Sequence, residues 1–243
     1  MGKEGWLRSS GLIGAIALCA ILLGFAGGWA WQASLGRGAT EEIVHDYIME
    51  HPEVLPQAMQ RLQDRELARR IEPLRGTLQL PYPGATLGNP KGSVVLVEFA
   101  DYNCPYCKMS VADVEALIAA NDDLLVVLRQ DPVLSPESDV AARMALAAAD
   151  QGKFPAFHEA MYAKDHLSAE TIEAAARSAG VDVARARADI AAGKYEAELN
   201  NNRRLAEMIG FSGTPSWVVG GRALSGAVGR EVLQAAVDAA REG

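Results

Sequence analysis

A pair of cysteines, Cys104 and Cys107, is the feature that most constrains what this chain can fold into. The run Cys104-Pro105-Tyr106-Cys107 stands where an apolar segment, Val94–Ala100, gives way to a helical pattern. A Cys-x-x-Cys at a strand-to-helix junction is the redox form of this motif. The first cysteine meets unpaired backbone N–H groups and the positive end of the helix dipole, which favour its thiolate. The pattern therefore predicts a strand–helix unit that carries a site for thiol–disulfide exchange.

Two other uses of a close cysteine pair fit the sequence less well. A structural zinc site needs four ligands, but the chain has only one further cysteine, Cys19, and its 4 histidines form no pair at short spacing. A structural disulfide across two intervening residues would constrain the chain little, because the stabilisation grows with loop length. We therefore expect no bound metal, and no cofactor other than a redox-active disulfide between Cys104 and Cys107.

The charge of the chain argues against a nucleic-acid partner. The 243 residues carry a formal net charge of -8, and basic residues cluster only in short pairs such as Arg69-Arg70 and Arg203-Arg204. Proteins that bind nucleic acids need a basic patch to neutralise phosphates. The length itself allows one domain of ordinary size with appendages.

The N-terminal part, residues 1–35, carries a long apolar segment. Leu12–Ala30 contains no charged side chain and is long enough to cross a bilayer as a helix. Lys3 and Arg8 precede it, which by the positive-inside rule leaves the rest of the chain outside the cytoplasm. We therefore predict a single-pass membrane anchor, with a cleaved signal sequence as the alternative. In an exported domain with a single close cysteine pair, this pair is then expected to be catalytic rather than a structural disulfide.

The remaining chain is predicted to form an arm and a catalytic domain. Residues 36–75 are expected to be a helical arm, whose apolar stripe packs either on its own domain or against copies of the chain. Residues 76–243 are expected to be the catalytic domain, entered through irregular chain at Gly76–Gly92. Its pattern predicts a strand, a helix, a strand, a helical insertion over about 136–210, two strands and a helix. The predicted bounds are Val94–Ala100, Cys104–Ala120, Leu124–Arg129, Glu137–Asp150, Phe154–Tyr162, Ala169–Ala179, Val183–Ala191, Tyr195–Met208, Ser216–Val219, Arg222–Ser225 and Arg230–Arg241.

This order of elements, with the Cys-Pro-Tyr-Cys after the first strand and Gly213-Thr214-Pro215 before the late hairpin, resembles the thioredoxin fold of DsbA-type oxidoreductases. The resemblance covers Ser93–Gly243, and the phrase from Val97 to Lys108 is especially similar. The arm, with His51-Pro52-Glu53-Val54-Leu55, is similar to the N-terminal extension of ScsC-like copper-tolerance proteins, some of which self-associate through it. The resemblance implies an α/β thioredoxin fold with a helical insertion. It also implies a protein anchored in the bacterial inner membrane with its catalytic domain in the periplasm, or soluble in the periplasm if the signal is cleaved.

The resemblance also implies roles for individual residues. Cys104 corresponds to an exposed nucleophile and Cys107 to a buried resolving cysteine. Pro215 corresponds to a cis-proline that faces the pair, although an ordinary trans-proline is the commoner state of such a bond. The backbone of Thr214 would pair with an extended client segment. The residues predicted to contact clients are Thr214, Pro105 and Tyr106.

Glu98 interrupts an otherwise apolar strand. The run has the length and composition of a central strand buried on both faces, where a carboxyl group loses its solvation and its pKa should rise towards neutrality. A carboxyl group under the cysteine pair would accept the proton of Cys107 through water, and the matching position of the family carries an acidic residue with that role. The alternative is an edge strand that leaves Glu98 in solvent.

The sequence therefore predicts an enzyme, a thiol–disulfide oxidoreductase that forms or reshuffles disulfide bonds in exported proteins. Its expected partners are unfolded or misoxidised clients, a membrane or periplasmic redox protein that recycles the pair, and copies of itself. Tyr106 stands where the strongest oxidases of the family have His, and Thr214 is commoner in isomerase-like members, so both features favour a weaker oxidant. The alternatives are a copper-handling protein that binds Cu(I) through its two thiolates and a non-catalytic interaction module.

Overall fold

The computed structural model describes residues 18–25, 28 and 40–242. Most of the predicted anchor, Leu12–Ala30, lies outside the described residues, although residues 18–25 are helical. Among the described residues, no helix is both long enough and apolar enough to cross a bilayer.

Contacts divide the chain into two compact units, Met1–Arg61 and Leu62–Gly243. Residues 40–50 of the first unit are helical, and helix α1 (Val54–Ile71) starts shortly after them. His51-Pro52 therefore separates two helices, because a proline disfavours the helical conformation of the residue before it. The apolar side chains of the first unit are largely exposed; they include Ile43, Val44, Tyr47, Met49, Leu55 and Met59.

The second unit is built around a five-stranded sheet with the order β1-β3-β2-β4-β5. The strands are β1 (Thr86–Gly88), β2 (Val94–Ala100), β3 (Leu124–Gln130), β4 (Ser216–Val219) and β5 (Arg222–Ser225). β2 and β3 are parallel, whereas every other neighbouring pair is antiparallel. β2 is thus the central strand, as its nearly continuous apolar sequence predicts. The alternative of an edge strand around Glu98 is wrong.

Helices cover both faces of this sheet. They are α2 (Arg75–Gln79), which follows a short 3-10 turn (Glu72–Leu74), α3 (Pro105–Ala120), α4 (Pro136–Asp150), α5 (Phe154–Tyr162), α6 (Ala169–Ser178), α7 (Val183–Ala191), α8 (Glu196–Ile209) and α9 (Arg230–Glu242). α4 to α8 form the predicted insertion between β3 and β4. Predicted and observed helix ends differ by at most one residue. Local caps fix these ends: the Ser135 hydroxyl accepts the N–H of Ser138 before α4, and Gly210 ends α8 at φ 95°.

A hydrophobic core lies on each face of the sheet, because successive side chains of a strand point to opposite faces. On one face Leu96 and Trp217 pack against α3, α9 and the insertion. On the other face Phe99 packs with Ile71 and Leu78, which come from the end of α1 and from α2. Part of the predicted arm therefore belongs to the core of the second unit.

The prediction of irregular chain over Gly76–Gly92 is wrong in part. It contains most of α2 and the whole of β1, which extends the sheet by pairing with β3 in the register Thr86↔Val127. β1 stands between prolines and has only 3 residues. A strand of this length is too short to show a hydrophobic period in the sequence.

Arg129 fixes this segment to the sheet. Its side chain is 2% exposed and donates hydrogen bonds to the carbonyl oxygens of Leu78 (3.1 Å) and Leu80 (2.6 Å), at the C-terminal end of α2. It also donates to Asn202 (2.8 Å) and Glu198 (3.2 Å) of α8. The last carbonyls of a helix lack partners within it, and a guanidinium group has enough N–H donors to satisfy several acceptors. One buried side chain therefore joins α2, α8 and β3.

Candidate active site

The cysteine pair lies at the N-terminus of α3, where the sequence places it. Cys104 is the N-cap of this helix, and Pro105 occupies its first turn, where a missing N–H leaves no intrahelical bond unmade. The Cys104 N–H donates to the carbonyl oxygen of Asp101 (3.0 Å), and the Cys104 carbonyl accepts the N–H of Lys108 (3.1 Å). Cys107 follows within the first turn and is buried. Both cysteines are in the thiol form.

The loop before β4 covers the sulfur of Cys104. Its Sγ donates a hydrogen bond to the carbonyl oxygen of Thr214 at 3.1 Å, and the Thr214-Pro215 peptide bond is cis, as predicted. Cys104 is only 4% exposed, so the expectation of an exposed nucleophile is wrong. The contact with the Thr214 carbonyl explains the difference, because it holds the sulfur against the loop rather than in solvent.

A groove of about 130 Å³ opens beside Cys104 on the side of the insertion. Lys108 lies along it and donates from Nζ to the carbonyl oxygen of Lys164 at 2.6 Å. The insertion contributes Met161, Lys164, Asp165, His166 and Leu167 to its wall. No local sequence signal points to these residues, because they lie far from the cysteines along the chain and only the tertiary fold brings them close.

Glu98 lies in the central strand, close enough to Cys107 for the two groups to influence each other's protonation. It is 4% exposed, and burial raises the pKa of its carboxyl group to about 8. Burial also raises the pKa of the Cys107 thiol far above its ordinary range, and the neighbouring Glu98 charge raises it further. Both groups are therefore predominantly protonated near pH 7, as the position of Glu98 in a buried strand predicts.

Aromatic side chains and one histidine pack around Glu98 and Cys107. The Tyr102 hydroxyl lies 3.3 Å from Nδ1 of His158, and burial lowers the pKa of His158 to about 4, so this imidazole is neutral at pH 7. The Tyr162 hydroxyl donates to the carbonyl oxygen of Asp101 at 3.4 Å. His158 and Tyr162 come from α5, and no local sequence signal assigned them to the site.

Asp101 organises the loop that leads into the cysteines. Its Oδ1 accepts the N–H of Asn103 (2.8 Å), while Oδ2 accepts the N–H groups of Val133 (2.9 Å) and Leu134 (3.0 Å). A buried carboxylate that accepts several backbone N–H groups satisfies donors that would otherwise be costly to bury. Asp101 therefore joins the active-site loop to the segment after β3. Its role could not be read from the sequence, because Val133 and Leu134 are distant from it along the chain.

The surface next to the pair is apolar. Tyr106, one of the predicted client contacts, is 59% exposed, and Met109 one turn further is 65% exposed. Pro105 is exposed beside them. The structure thus brings the predicted residues Cys104, Pro105, Tyr106 and Thr214 to one surface, and it places Cys107 and Glu98 behind them.

Two family models match the chain. A thioredoxin model matches residues 82–239, and a model of the copper resistance protein ScsC N-terminal domain matches residues 39–69. The first match contains the sheet and the cysteine pair, and the second contains most of the predicted arm.

Solved structures agree with both matches. A thioredoxin-like oxidoreductase from Silicibacter pomeroyi DSS-3 is 43% identical, with a TM-score of 0.63 over 65% of this chain and 92% of that one. The thiol–disulfide exchange protein alpha-DsbA2 from Wolbachia pipientis is 32% identical, with a TM-score of 0.67 over 73% and 97%. Proteus mirabilis ScsC in a transitional conformation is 26% identical, with a TM-score of 0.62 over 84% and 94%.

Curated relatives include much longer proteins. The Na(+)/H(+) antiporter NhaA 3 of Salinispora tropica is 31% identical over 153 residues, which are 62% of this chain and 24% of that protein. The chain therefore spans about a quarter of the length of such relatives. With the thioredoxin model matching residues 82–239 and DsbA-like and ScsC structures superposing on the same fold, this chain belongs to the thioredoxin family, among its DsbA-like and ScsC-like members.

Proposed function

We propose that this protein is a periplasmic thiol–disulfide oxidoreductase that forms or reshuffles disulfide bonds in exported proteins. The observation that carries the proposal is the placement of Cys104 at the N-cap of α3, with its sulfur 3.1 Å from the carbonyl oxygen before the cis-proline. The helix N-terminus favours a thiolate there, and the neighbouring loop offers a backbone to which a client can bind.

The two cysteines have different roles in the proposed reaction. The Cys104 thiolate attacks one sulfur of a client disulfide, the other client sulfur leaves as a thiolate, and a mixed disulfide forms. Cys107 stays a thiol until then, because burial raises its pKa. It then loses its proton, attacks Cys104 Sγ and releases the second client thiolate. The same steps in reverse transfer a disulfide from the protein to a client.

Glu98 is proposed as the acceptor of the Cys107 proton. With its pKa raised to about 8, about a tenth of the Glu98 carboxyl groups are ionised at pH 7. This ionised fraction is a stronger base than an ordinary carboxylate, and proton transfer is most efficient when the catalytic pKa lies near the working pH. Water in the site would carry the proton between them. In this role Glu98 assists the resolving step and leaves the first attack by Cys104 unchanged.

Clients are proposed to bind as an added strand on the Thr214 backbone. In the thiol form the Thr214 carbonyl accepts the Cys104 S–H. Once the sulfur is in a mixed disulfide, it carries no proton and this carbonyl is free to accept an N–H of the client. Main-chain pairing of this kind gives affinity with little demand on sequence, and exposed Tyr106 and Met109 add apolar contact.

The location and the recycling partner of the protein remain part of the proposal. The apolar segment Leu12–Ala30 supports an anchor in the bacterial inner membrane, with a cleaved signal as the alternative. A redox protein of the membrane or periplasm would reoxidise or reduce the pair, as the direction of exchange requires.

Single-cysteine variants test the catalytic proposal. Cys107→Ala should accumulate a mixed disulfide with a scrambled client protein, because the resolving thiol is missing, whereas Cys104→Ala should accumulate none. Mass spectrometry of the trapped species identifies which sulfur is joined. The assignment would be contradicted if the Cys104→Ala variant trapped clients through Cys107 as fast as the Cys107→Ala variant traps them through Cys104.

Copper handling is a second candidate function. The match of residues 39–69 to the ScsC N-terminal domain, described as part of a copper resistance protein, favours it, and two soft thiolates suffice for linear Cu(I) coordination. Insulin reduction measured with and without one equivalent of Cu(I) separates the candidates. An enzyme should be active without copper and inhibited by it, whereas a copper carrier should bind the ion tightly and show little exchange activity.

A further inference from the structure

A cavity of about 320 Å³ lies farther along α3 than the cysteine pair. Leu87 of β1, Val111 and Ile118 of α3, and Pro155 of α5 form its apolar wall. Small-molecule sites in proteins are typically clefts of this size, with mostly apolar walls and a few convergent polar groups. The volume suits a molecule of about six to eight non-hydrogen atoms that leaves some water in place.

The polar groups of this cavity are acidic at both ends. Glu98, 4% exposed, lines its inner end together with His158, and exposed Glu115 and Glu159 stand at its rim. No described residue that lines it is a lysine or an arginine. Among the described residues, no hydrogen bond is made to the Glu98 carboxyl group, and only burial shifts its pKa. A carboxyl group that lines a cavity and has no protein partner keeps its acceptor capacity, so the inner end of the cavity favours a ligand with a hydrogen-bond donor.

We propose that this cavity is a binding site for a small apolar amine, whose hydrocarbon part packs on Val111 and Ile118 and whose ammonium group pairs with the Glu98 carboxylate. Apolar walls select the hydrocarbon part, since its transfer from water is favourable. Carboxyl groups at both ends select a cation over a neutral or anionic molecule of the same size. The client surface at Tyr106 and Thr214 shares no residue with this cavity.

Occupancy of this site would slow disulfide exchange, a consequence that rests on the proposed role of Glu98. A Glu98 carboxylate paired with an ammonium group is a weaker base, so it accepts the Cys107 proton less readily. The Cys107 thiolate then forms more slowly, and the mixed disulfide persists. Because the client does not enter the cavity, an excess of client should not overcome the inhibition.

The disulfide form of the protein isolates Glu98 as the titrating group. Cys107, Tyr102, Tyr162 and His158 are the buried titratable groups around it from the loop, α3 and α5. Glu115 of α3 and Glu159 of α5 stand at the exposed rim of the same cavity. Cys107 does not titrate in a disulfide, burial raises the pKa of both tyrosines further above 10, and the pKa of His158 is about 4. Between pH 7 and 9 the charge of Glu98 therefore changes while the charges of these four buried neighbours stay constant.

Calorimetry on the oxidised protein tests the binding directly, with hexylamine as the probe and hexanol and hexanoate as its neutral and anionic counterparts. We expect hexylamine to bind about tenfold more tightly at pH 9 than at pH 7, because the ionised fraction of a group with a pKa of about 8 rises about tenfold over that range. Hexanol should bind more weakly and without this pH dependence. Equal affinities for hexylamine and hexanol, or a flat pH profile for hexylamine, would overturn the proposal.

Two matched substitutions on α3 locate the site. Ala119 and its neighbour Ala120 are both exposed, but only Ala119 lines the cavity. Ala119→Phe should therefore weaken hexylamine binding at least tenfold, and Ala120→Phe should leave it unchanged. Equal binding by the two variants would place the amine elsewhere and refute the site. Tight binding that leaves the rate of mixed-disulfide resolution unchanged would uphold the site and refute the proposed role of Glu98.

Discussion

The two thiols of the active site differ in their electrostatic surroundings rather than in their exposure to solvent. Cys104 and Cys107 are 4% and 1% exposed, so solvent contact hardly distinguishes them. The N-cap position distinguishes them, because the helix dipole and the free N–H groups act on Cys104. For Cys107, burial and the charge of Glu98 act in the opposite sense and raise its pKa. The order of attack is thus a property of each sulfur's electrostatic surroundings.

Alkylation of the reduced protein should therefore modify Cys104 first. At pH 7 a small reagent such as iodoacetamide reacts with thiolates, so we expect Cys104 to be labelled at least tenfold faster than Cys107. Peptide mass spectrometry after short reaction times measures both rates in one sample. Equal rates would show that the helix N-terminus does not activate Cys104.

The raised pKa of Glu98 has a consequence for stability. The carboxyl group titrates near 4.5 when it is accessible to water and near 8 in the folded protein. Between these values the folded state holds a proton that the unfolded state has lost, so the free energy of unfolding falls as the pH rises through this window. Below pH 4.5 both states are protonated, and Glu98 contributes no such loss.

Glu98→Gln should remove this loss of stability, because glutamine stays neutral. We compare the free energy of unfolding of the variant with that of the original protein, both in the disulfide form. This difference should shift in favour of the variant by about 3 kcal/mol between pH 4.5 and pH 7. Urea unfolding at the two pH values measures the change. Glu115→Gln, on the exposed side of α3, is the control and should show no comparable pH-dependent gain. A pH-independent difference for Glu98→Gln would contradict the raised pKa.

At the scale of single elements, most of the second unit could be predicted from sequence. Hydrophobic runs such as Val94–Ala100, and glycines that end helices, gave element bounds within one residue, because these signals are local. β1 was missed since three residues show no period. The roles of Asp101, Arg129 and His158 were also missed, because each depends on partners that are distant in sequence. The cysteine pair could be predicted because its motif consists of four adjacent residues, Cys104 to Cys107.

Arg129 shows how much such a distant contact contributes to one element. Arg129→Met should destabilise the protein by about 3 kcal/mol, because it leaves buried acceptors on α2 and α8 without donors. Urea unfolding measures the loss, and Arg222→Met on exposed β5 serves as the control, with an expected change below 0.5 kcal/mol. A similar small change for both variants would show that α2 is held by its apolar contacts at Leu78 alone.

At the scale of the whole molecule, the two units differ in how they bury their apolar side chains. The second unit has a core on each face of its sheet, and Ile71 of the arm is part of it. In the first unit Ile43, Tyr47 and Met59 remain between 54% and 69% exposed. Exposed apolar side chains in this number exceed what a solvated tether needs and favour an interaction surface. We propose that copies of the chain associate through it, which would hold several cysteine pairs near one client and favour reshuffling over simple oxidation.

Light scattering on a chain that begins at Thr40 tests this association. We expect a mass of at least two copies, because a solvated helix of this length would be marginal with its apolar stripe in water. Tyr47→Glu combined with Met59→Glu should yield a monomer, since both changes place charge on the stripe. Gln57→Glu, which adds one negative charge on the side of α1 away from Met59, should leave the mass unchanged. The monomeric variant should keep its insulin reduction rate within about twofold and lose most of its activity on scrambled clients, because each pair would then act alone. A monomer already in the chain that begins at Thr40 would refute self-association through the arm.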